Sequence, residues 1–143
     1  MKLHSLIPIK ATPNLVYSYL VNVKKQQEWL PELIDIKLKR VGQQLRFEAT
    51  FLEDSKLNKK QGLIHENIKG KKLIVELFDN NINAKTCYFL QKNSQGFCDL
   101  TVTVKFTPAR KIAILIMPLI FLYGNYFLGK RLRALQEVVE SAT

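Results

Sequence analysis

Leu3 to Ile9 reads as a strand, and Thr12-Pro13 then provides a helix N-cap with proline at the first helical position. Leu15, Val16, Tyr19, Leu20 and Val23 recur at helical spacing through about residue 22, and a second short helix, Lys25 to Leu30, ends at Pro31. Beyond Pro31 the period changes to two. Ile34, Ile36 and Leu38 alternate with Asp35, Lys37 and Lys39, and after Gly42-Gln43 the residues Leu45, Phe47, Ala49 and Phe51 alternate with Arg46, Glu48 and Thr50.

Turn chemistry sets the expected registers. A two-residue loop with glycine first suits a type II′ turn, so Gly42-Gln43 places Leu38 opposite Phe47, Ile36 opposite Ala49 and Lys37 opposite Glu48. Asn80-Asn81, taken as a type I′ loop, sets Leu77 against Ala84, Val75 against Thr86, Leu73 against Tyr88 and Glu76 against Lys85. Ser94-Gln95-Gly96, closed by glycine at positive φ, pairs Leu90 with Leu100, Tyr88 with Val102 and Thr86 with Val104. A weaker strand, from about Leu57 to Ile68, precedes a turn at Lys69-Gly70-Lys71. A two-residue loop there sends Ile64 and Glu66 to the concave face, whereas a three-residue loop sends His65, because a slip of one residue exchanges the faces.

The end of the chain is helical. Leu132, Leu135, Val138 and Val139 form an amphipathic stripe among charged residues, while Ile112 to Leu128 is apolar on all sides apart from Gly124 and Asn125, with Pro118 expected to kink or restart the helix. The predicted fold class is α+β: a curved seven-stranded antiparallel sheet around a long C-terminal helix, with two short helices between strands 1 and 2. No repeat, linker or low-complexity segment divides the 143 residues, so residues 1–143 are expected to form one domain with one core.

This order, and the residues that carry it, resemble the START and birch-pollen-allergen superfamily, known as SRPBCC or helix-grip proteins, and in particular its polyketide cyclase/dehydrase-like branch. The resembling residues are Ile7-x-Ile9-x-Ala11-x-Pro13-x-x-Val16-Tyr17-x-x-Leu20, Trp29-x-Pro31, the strand containing Phe47, Gly70-Lys71-x-Leu73 before a strand with Glu76, Leu100-Thr101-Val102 after Gly96, and Leu132-x-x-Leu135-x-x-Val138-Val139-Glu140. The resemblance spans nearly the whole chain and implies a cavity for an apolar ligand between sheet and helix. Members of the superfamily act as lipid carriers, receptors or aromatase/cyclases, so it does not select an activity, and no catalytic motif of the cyclases is matched. The apolar stretch from Ile112 to Tyr123 is longer than the family's usual final helix.

Strand parity nominates the wall of that cavity: Phe47, Phe51, Ile64, Val75, Leu77, Tyr88, Val102, Val104 and Phe106 from the sheet, and Phe121, Tyr126 or Phe127 from the helix. Tyr88 is its best polar handle. Trp29 either guards the mouth or packs the short helix onto the sheet edge. The leading reading is a non-enzymatic binding or carrier domain for a lipid-like or polycyclic molecule. An alternative is a cyclase or dehydratase-like enzyme with His65, Glu66 or Tyr88 as proton-transfer groups, at least one of which must point inward.

Charge widens the choice of partners. Lys and Arg number 22 against 12 Asp and Glu, a formal +10, which favours anionic partners but is scattered over predicted strand ends and turns. No nucleic-acid-binding module accompanies it, and specific nucleic-acid binding is not expected. Flanked by Arg110-Lys111 and Lys130-Arg131, the apolar stretch of helix is expected to face a membrane surface or a second copy of the chain on its outer side rather than to span a bilayer. Cys87, Cys98 and His65 do not form a ligand cluster in sequence, so no metal and no cofactor is expected. Two cysteines that do not face each other, and an N-terminus without signal-peptide character, point to a reducing cytoplasmic setting, with membrane association as a further option.

Overall fold

A computed structural model describes residues 2–111 and 113–143, with all their side chains except those of Ala113, Ile116, Ile120 and Phe121. Strand β1 (Lys2–Ile9) leads through Thr12 into helix α1 (Pro13–Val21), whose Leu15 N–H donates to the Thr12 hydroxyl as the N-cap pattern requires. Asn22 ends α1 and begins α2 (Val23–Trp29), its side chain accepting from Lys25 N–H. A single polar residue thus separates the two helices.

Six strands follow: β2 (Leu33–Val41), β3 (Gln44–Glu53), β4 (Lys56–Ile68), β5 (Lys72–Phe78), β6 (Ile82–Lys92) and β7 (Cys98–Pro108). They join β1 in one antiparallel sheet ordered β1-β7-β6-β5-β4-β3-β2, so the first two strands occupy opposite edges and the two short helices carry the chain between them. The predicted register holds at Gly42-Gln43, where Leu38 faces Phe47 and Lys37 faces Glu48, and Gly42 takes the positive φ of 63° that a type II′ turn needs. It holds at Gly96 as well, with φ 82° and Leu90 opposite Leu100.

Strand β4 departs from both sequence alternatives. Ile68 pairs with Lys72, which leaves a three-residue turn, and uninterrupted counting from there would bring His65 to the concave face opposite Val75. A bulge between Ile64 and Glu66 absorbs His65 instead, so Ile64 faces Val75 while Glu66 faces Ile74. One inserted residue restores the parity that the longer turn had reversed.

The β5–β6 register is also as predicted, with Glu76 opposite Lys85 and Leu73 opposite Tyr88, but the connection is not a type I′ turn. Positive φ at a non-glycine residue is confined, among the described residues, to Asp54 and Ser55, at 49° and 62°. These two form the type I′ connection between β3 and β4, which sequence reading had not singled out. At residues 79–81 the backbone is bonded elsewhere: Asn80 N–H donates to the Asp79 carboxylate and the Asn81 carbonyl accepts from Ala109 N–H.

Helix α3 (Ala113–Ser141) runs through Pro118 as one continuous helix, without a restart. It packs mainly on β1, and at fewer points on β7, α1 and α2. Leu3, Ile9, Val16, Leu100, Val102, Leu135 and Val139 are fully buried where these elements meet. Gly124 allows the close approach, because a Cβ there would come within 2.9 Å of Leu3 Cδ1. The core cluster thus gathers β1, β7 and the three helices with Leu73 of β5 and Leu90 of β6, and α3 makes its closest sheet contacts at β1 and β7.

Candidate functional site

Beyond β1 and β7 the inner face of the sheet carries a continuous apolar surface, a trough whose large side chains are partly accessible among the described residues. Cross-strand pairing carries one face continuously across it: Phe47 to Gly62, Gly62 to Leu77, Leu77 to Ala84 and Ala84 to Phe106 in one row, and Leu45 to Ile64, Ile64 to Val75, Val75 to Thr86 and Thr86 to Val104 in the next. Phe47, Phe51, Ile64, Val75, Leu77 and Tyr88 keep part of their surface accessible, as does Phe106, whereas Val102 and Val104 are buried beneath the helix. The sheet residues nominated for the cavity wall thus share one face, and the two valines belong to its sealed end.

The helix residues behave differently. Tyr126 and Phe127 meet edge to face with ring centroids 5.7 Å apart, but both are more than half exposed. Docking of α3 through Gly124 turns them away from the core, so neither lines a closed wall. Phe121 lies outside the described side chains. Trp29 is buried in the core cluster and donates its indole N–H to the Tyr19 carbonyl at 2.8 Å.

Among the described residues, clefts adjoin the sheet at two places. One, of about 340 Å³, lies at the β3–β4 turn, lined by Glu53, Asn58, Lys59, Lys60 and residues 78–80. Asn58 and Lys60 pair with Phe51 and Ala49, so this cleft forms a polar end to the trough, with Lys60 Nζ 5.3 Å from the centre of the Phe51 ring and 3.4 Å from Glu53. The other, of about 330 Å³, lies beside the start of α1 between Gly70 and Phe89–Lys92.

Among the three nominated proton-transfer groups the trough face holds one. His65 Nε2 lies 2.7 Å from Glu76 Oε1, and Glu76 pairs with Lys85 on the outer face of the sheet. Glu66 lies opposite Ile74 on that same outer face and bonds Lys72 at 3.3 Å. The three-residue turn sets Glu66 outward, and the bulge that turned Ile64 inward turned His65 outward as well. Tyr88 lies between Leu73 and Val102 on the inner face, and its hydroxyl has no hydrogen-bond partner among the described residues. Burial pushes its pKa up to about 12, against a smaller lowering by the charge of Arg131. Tyr88 is therefore a neutral phenol at physiological pH, able to donate or to accept.

Arg131 itself projects from α3 and pairs with Glu32 in the turn before β2, tying the helix to the far edge strand. Its place beside Tyr88 was not read from the sequence, where it stands as one of several basic residues of an amphipathic helix. Ala84 and Thr86 follow from the predicted β5–β6 register, but Gly62 does not, because the β4 register hung on the bulge. Cys87 and Cys98 are free thiols, opposite Thr103 and Ile9 respectively. Burial raises the Cys98 thiol to about 11.

No family model matches the sequence, and no curated protein matches it. Solved structures do match in fold along nearly the full length. A START superfamily protein from Mycobacterium smegmatis superposes with a TM-score of 0.77 at 13% identity, covering 99% of this chain and 99% of that one. Ara h 8.0201 gives 0.72 at 12% identity, covering 99% and 98%. The Zhui aromatase/cyclase from Streptomyces sp. R1128 gives 0.73 at 11% identity, covering 98% and 93%. At these identities the shared property is the fold, the helix-grip arrangement of a curved sheet and a long C-terminal helix.

Proposed function

We propose that this helix-grip chain binds or carries a hydrophobic small molecule, lipid-like or polycyclic, along the trough between the sheet and α3. The observation that carries the reading is the row of inward-facing apolar side chains, Phe47, Phe51, Val75 and Leu77, that the protein's own helix leaves accessible. Apolar surface left in water on a concave face gains about 25 cal/mol per Å² when a ligand covers it. Tyr88, neutral and without a hydrogen-bond partner among the described residues, suits a ligand with one hydroxyl or carbonyl group at the buried end. The fold shared with a START superfamily protein and an aromatase/cyclase adds an architectural precedent for this placement.

Carriage is favoured over cyclase or dehydratase chemistry. General acid–base catalysis works best with a pKa near the operating pH, and the one candidate on the trough face is held at about 12. His65 and Glu66, on the opposite face, are out of reach of a molecule in the trough.

Native mass spectrometry of protein purified from cells, followed by solvent extraction and a Nile red titration of the emptied protein, tests the proposal. A co-purifying apolar compound, or saturable Nile red binding that is weakened by Val75→Trp and Leu77→Gln, supports it. Protein that is always empty and shows no saturable binding overturns it.

A further inference from the structure

The N-terminal half of α3 carries a second apolar surface on the side away from the core. Leu115, Leu119, Leu122 and Tyr126 follow one another at spacings of four, three and four, which aligns them in a single stripe along the helix. Gly124, Leu128, Leu132, Leu135 and Val139 form the opposite stripe, the one that packs inward. Tyr123 borders the outer stripe, Ile114 and Phe127 are exposed on the flanks of the helix, and the stripe's members are among the most exposed large side chains of the protein, Leu115 at 79% and Leu122 at 68%. Exposed apolar surface so concentrated marks a contact.

Charge identifies what the contact is with. Between Asp99 and Glu137 the sequence has no acidic residue and six basic ones, Lys105, Arg110, Lys111, Lys130, Arg131 and Arg133. Arg110 and Lys111 stand exposed at the head of the stripe, and Lys130 and Arg133 continue its line beyond Tyr126. A second copy of the chain docking through this stripe, parallel or antiparallel, would oppose cationic ends with no carboxylate between them. An anionic bilayer surface complements both features, since leucine and tyrosine side chains enter the headgroup boundary while lysine and arginine engage the lipid charge. No helix among the described residues is long and apolar enough to cross a membrane.

We infer that α3 docks the protein onto anionic membrane surfaces through Leu115, Leu119, Leu122 and Tyr126, with Arg110, Lys111, Lys130 and Arg133 as the charged flanks. The inference is independent of what fills the trough. It nevertheless places a lipid-covered helix along one side of that trough.

Co-sedimentation of the full chain with vesicles tests it, using phosphatidylcholine alone and phosphatidylcholine with about a third phosphatidylserine. Binding is expected on the anionic vesicles only, about tenfold weaker at moderate than at low salt. Leu115→Asp with Leu122→Asp should abolish it, and Arg110→Gln with Lys111→Gln should weaken it severalfold. All substituted positions are solvent-exposed, and circular dichroism confirms that the variants fold. Absence of binding to anionic vesicles, equal binding to both vesicle types, or a concentration-dependent dimer that the leucine substitutions dissolve would overturn the inference. Nile red titration without vesicles reads the trough separately.

Discussion

The ring of Phe47 lies on top of Gly62, its partner across the β3–β4 ladder, and occupies the volume that a Cβ at residue 62 would need. Glycine is required there by close approach and not by an unusual φ. Gly62→Ala must push the ring aside, and since the ring is the free end of a partly accessible side chain, the loss of stability is expected to be about 1–2 kcal/mol. In a double-mutant cycle with Phe47→Ala the two losses should fall short of additivity by at least about 0.5 kcal/mol, measured by urea denaturation. An additive cycle would mean that the ring does not depend on Gly62.

His65 and Glu76 provide the control for the trough. The pair sits on the outer face with side chains that keep about a quarter of their surface in water, 30% and 21%, so its contribution to stability is expected to be under about 1 kcal/mol. His65→Gln and Glu76→Gln should therefore unfold nearly as the parent does and bind Nile red with unchanged affinity. A large drop in probe affinity from either substitution would contradict the assignment of this pair to the outer face.

Alkaline pH should weaken the fold in a traceable way. The Cys98 thiol has a folded pKa of about 11 against an ordinary 9.0, so between these values the unfolded chain has lost a proton that the folded chain retains. Stability from this group is complete below pH 9 and declines as pH rises toward 11, by at most about 3 kcal/mol. Tyr88, raised from 10.0 to about 12, acts in the same direction one unit higher. Cys98→Ala should lower stability at neutral pH through lost packing, yet show a shallower decline between pH 9 and 11, read from denaturation midpoints. A slope identical to that of the parent would exclude Cys98 as its source.

Legibility of the fold from sequence followed the turns. At Gly42 and Gly96, where glycine supplies the positive φ that closes the hairpin, counting outward from the loop placed the predicted cross-strand pairs correctly, because period-two alternation allows only one register to bury the apolar set. Gly70 has positive φ as well, yet there a bulge in β4 interrupts the count, as one between Leu33 and Asp35 does at the start of β2. The β5–β6 pairing was right although its turn type was not, since alternation in both strands sufficed. The β4 register was undetermined because a bulge at His65 has no local signature: it is fixed by the inward fit of Ile64 and Gly62 to strands on either side. The same limit hid the shape of the site. Parity showed which side chains share a face, but where α3 lands on that face depends on the contact of Gly124 with Leu3, between residues more than a hundred positions apart. That contact fixes which side of α3 faces the sheet and leaves Tyr126 exposed.

Trp29 separates packing from gating. Its indole N–H reaches the Tyr19 carbonyl, one of the last four carbonyls of α1, which have no partner within their own helix. The residue therefore completes the end of one helix from the end of the next while its ring is buried in the common core. Trp29→Phe removes the donor and leaves a void, and the expected loss is about 1–3 kcal/mol, combining an unsatisfied buried carbonyl with lost packing. Nile red affinity and its rate of uptake should stay those of the parent, because a residue buried to 5% exposure has no surface in the trough mouth. Unchanged stability with altered uptake would instead make Trp29 a guard of the entrance.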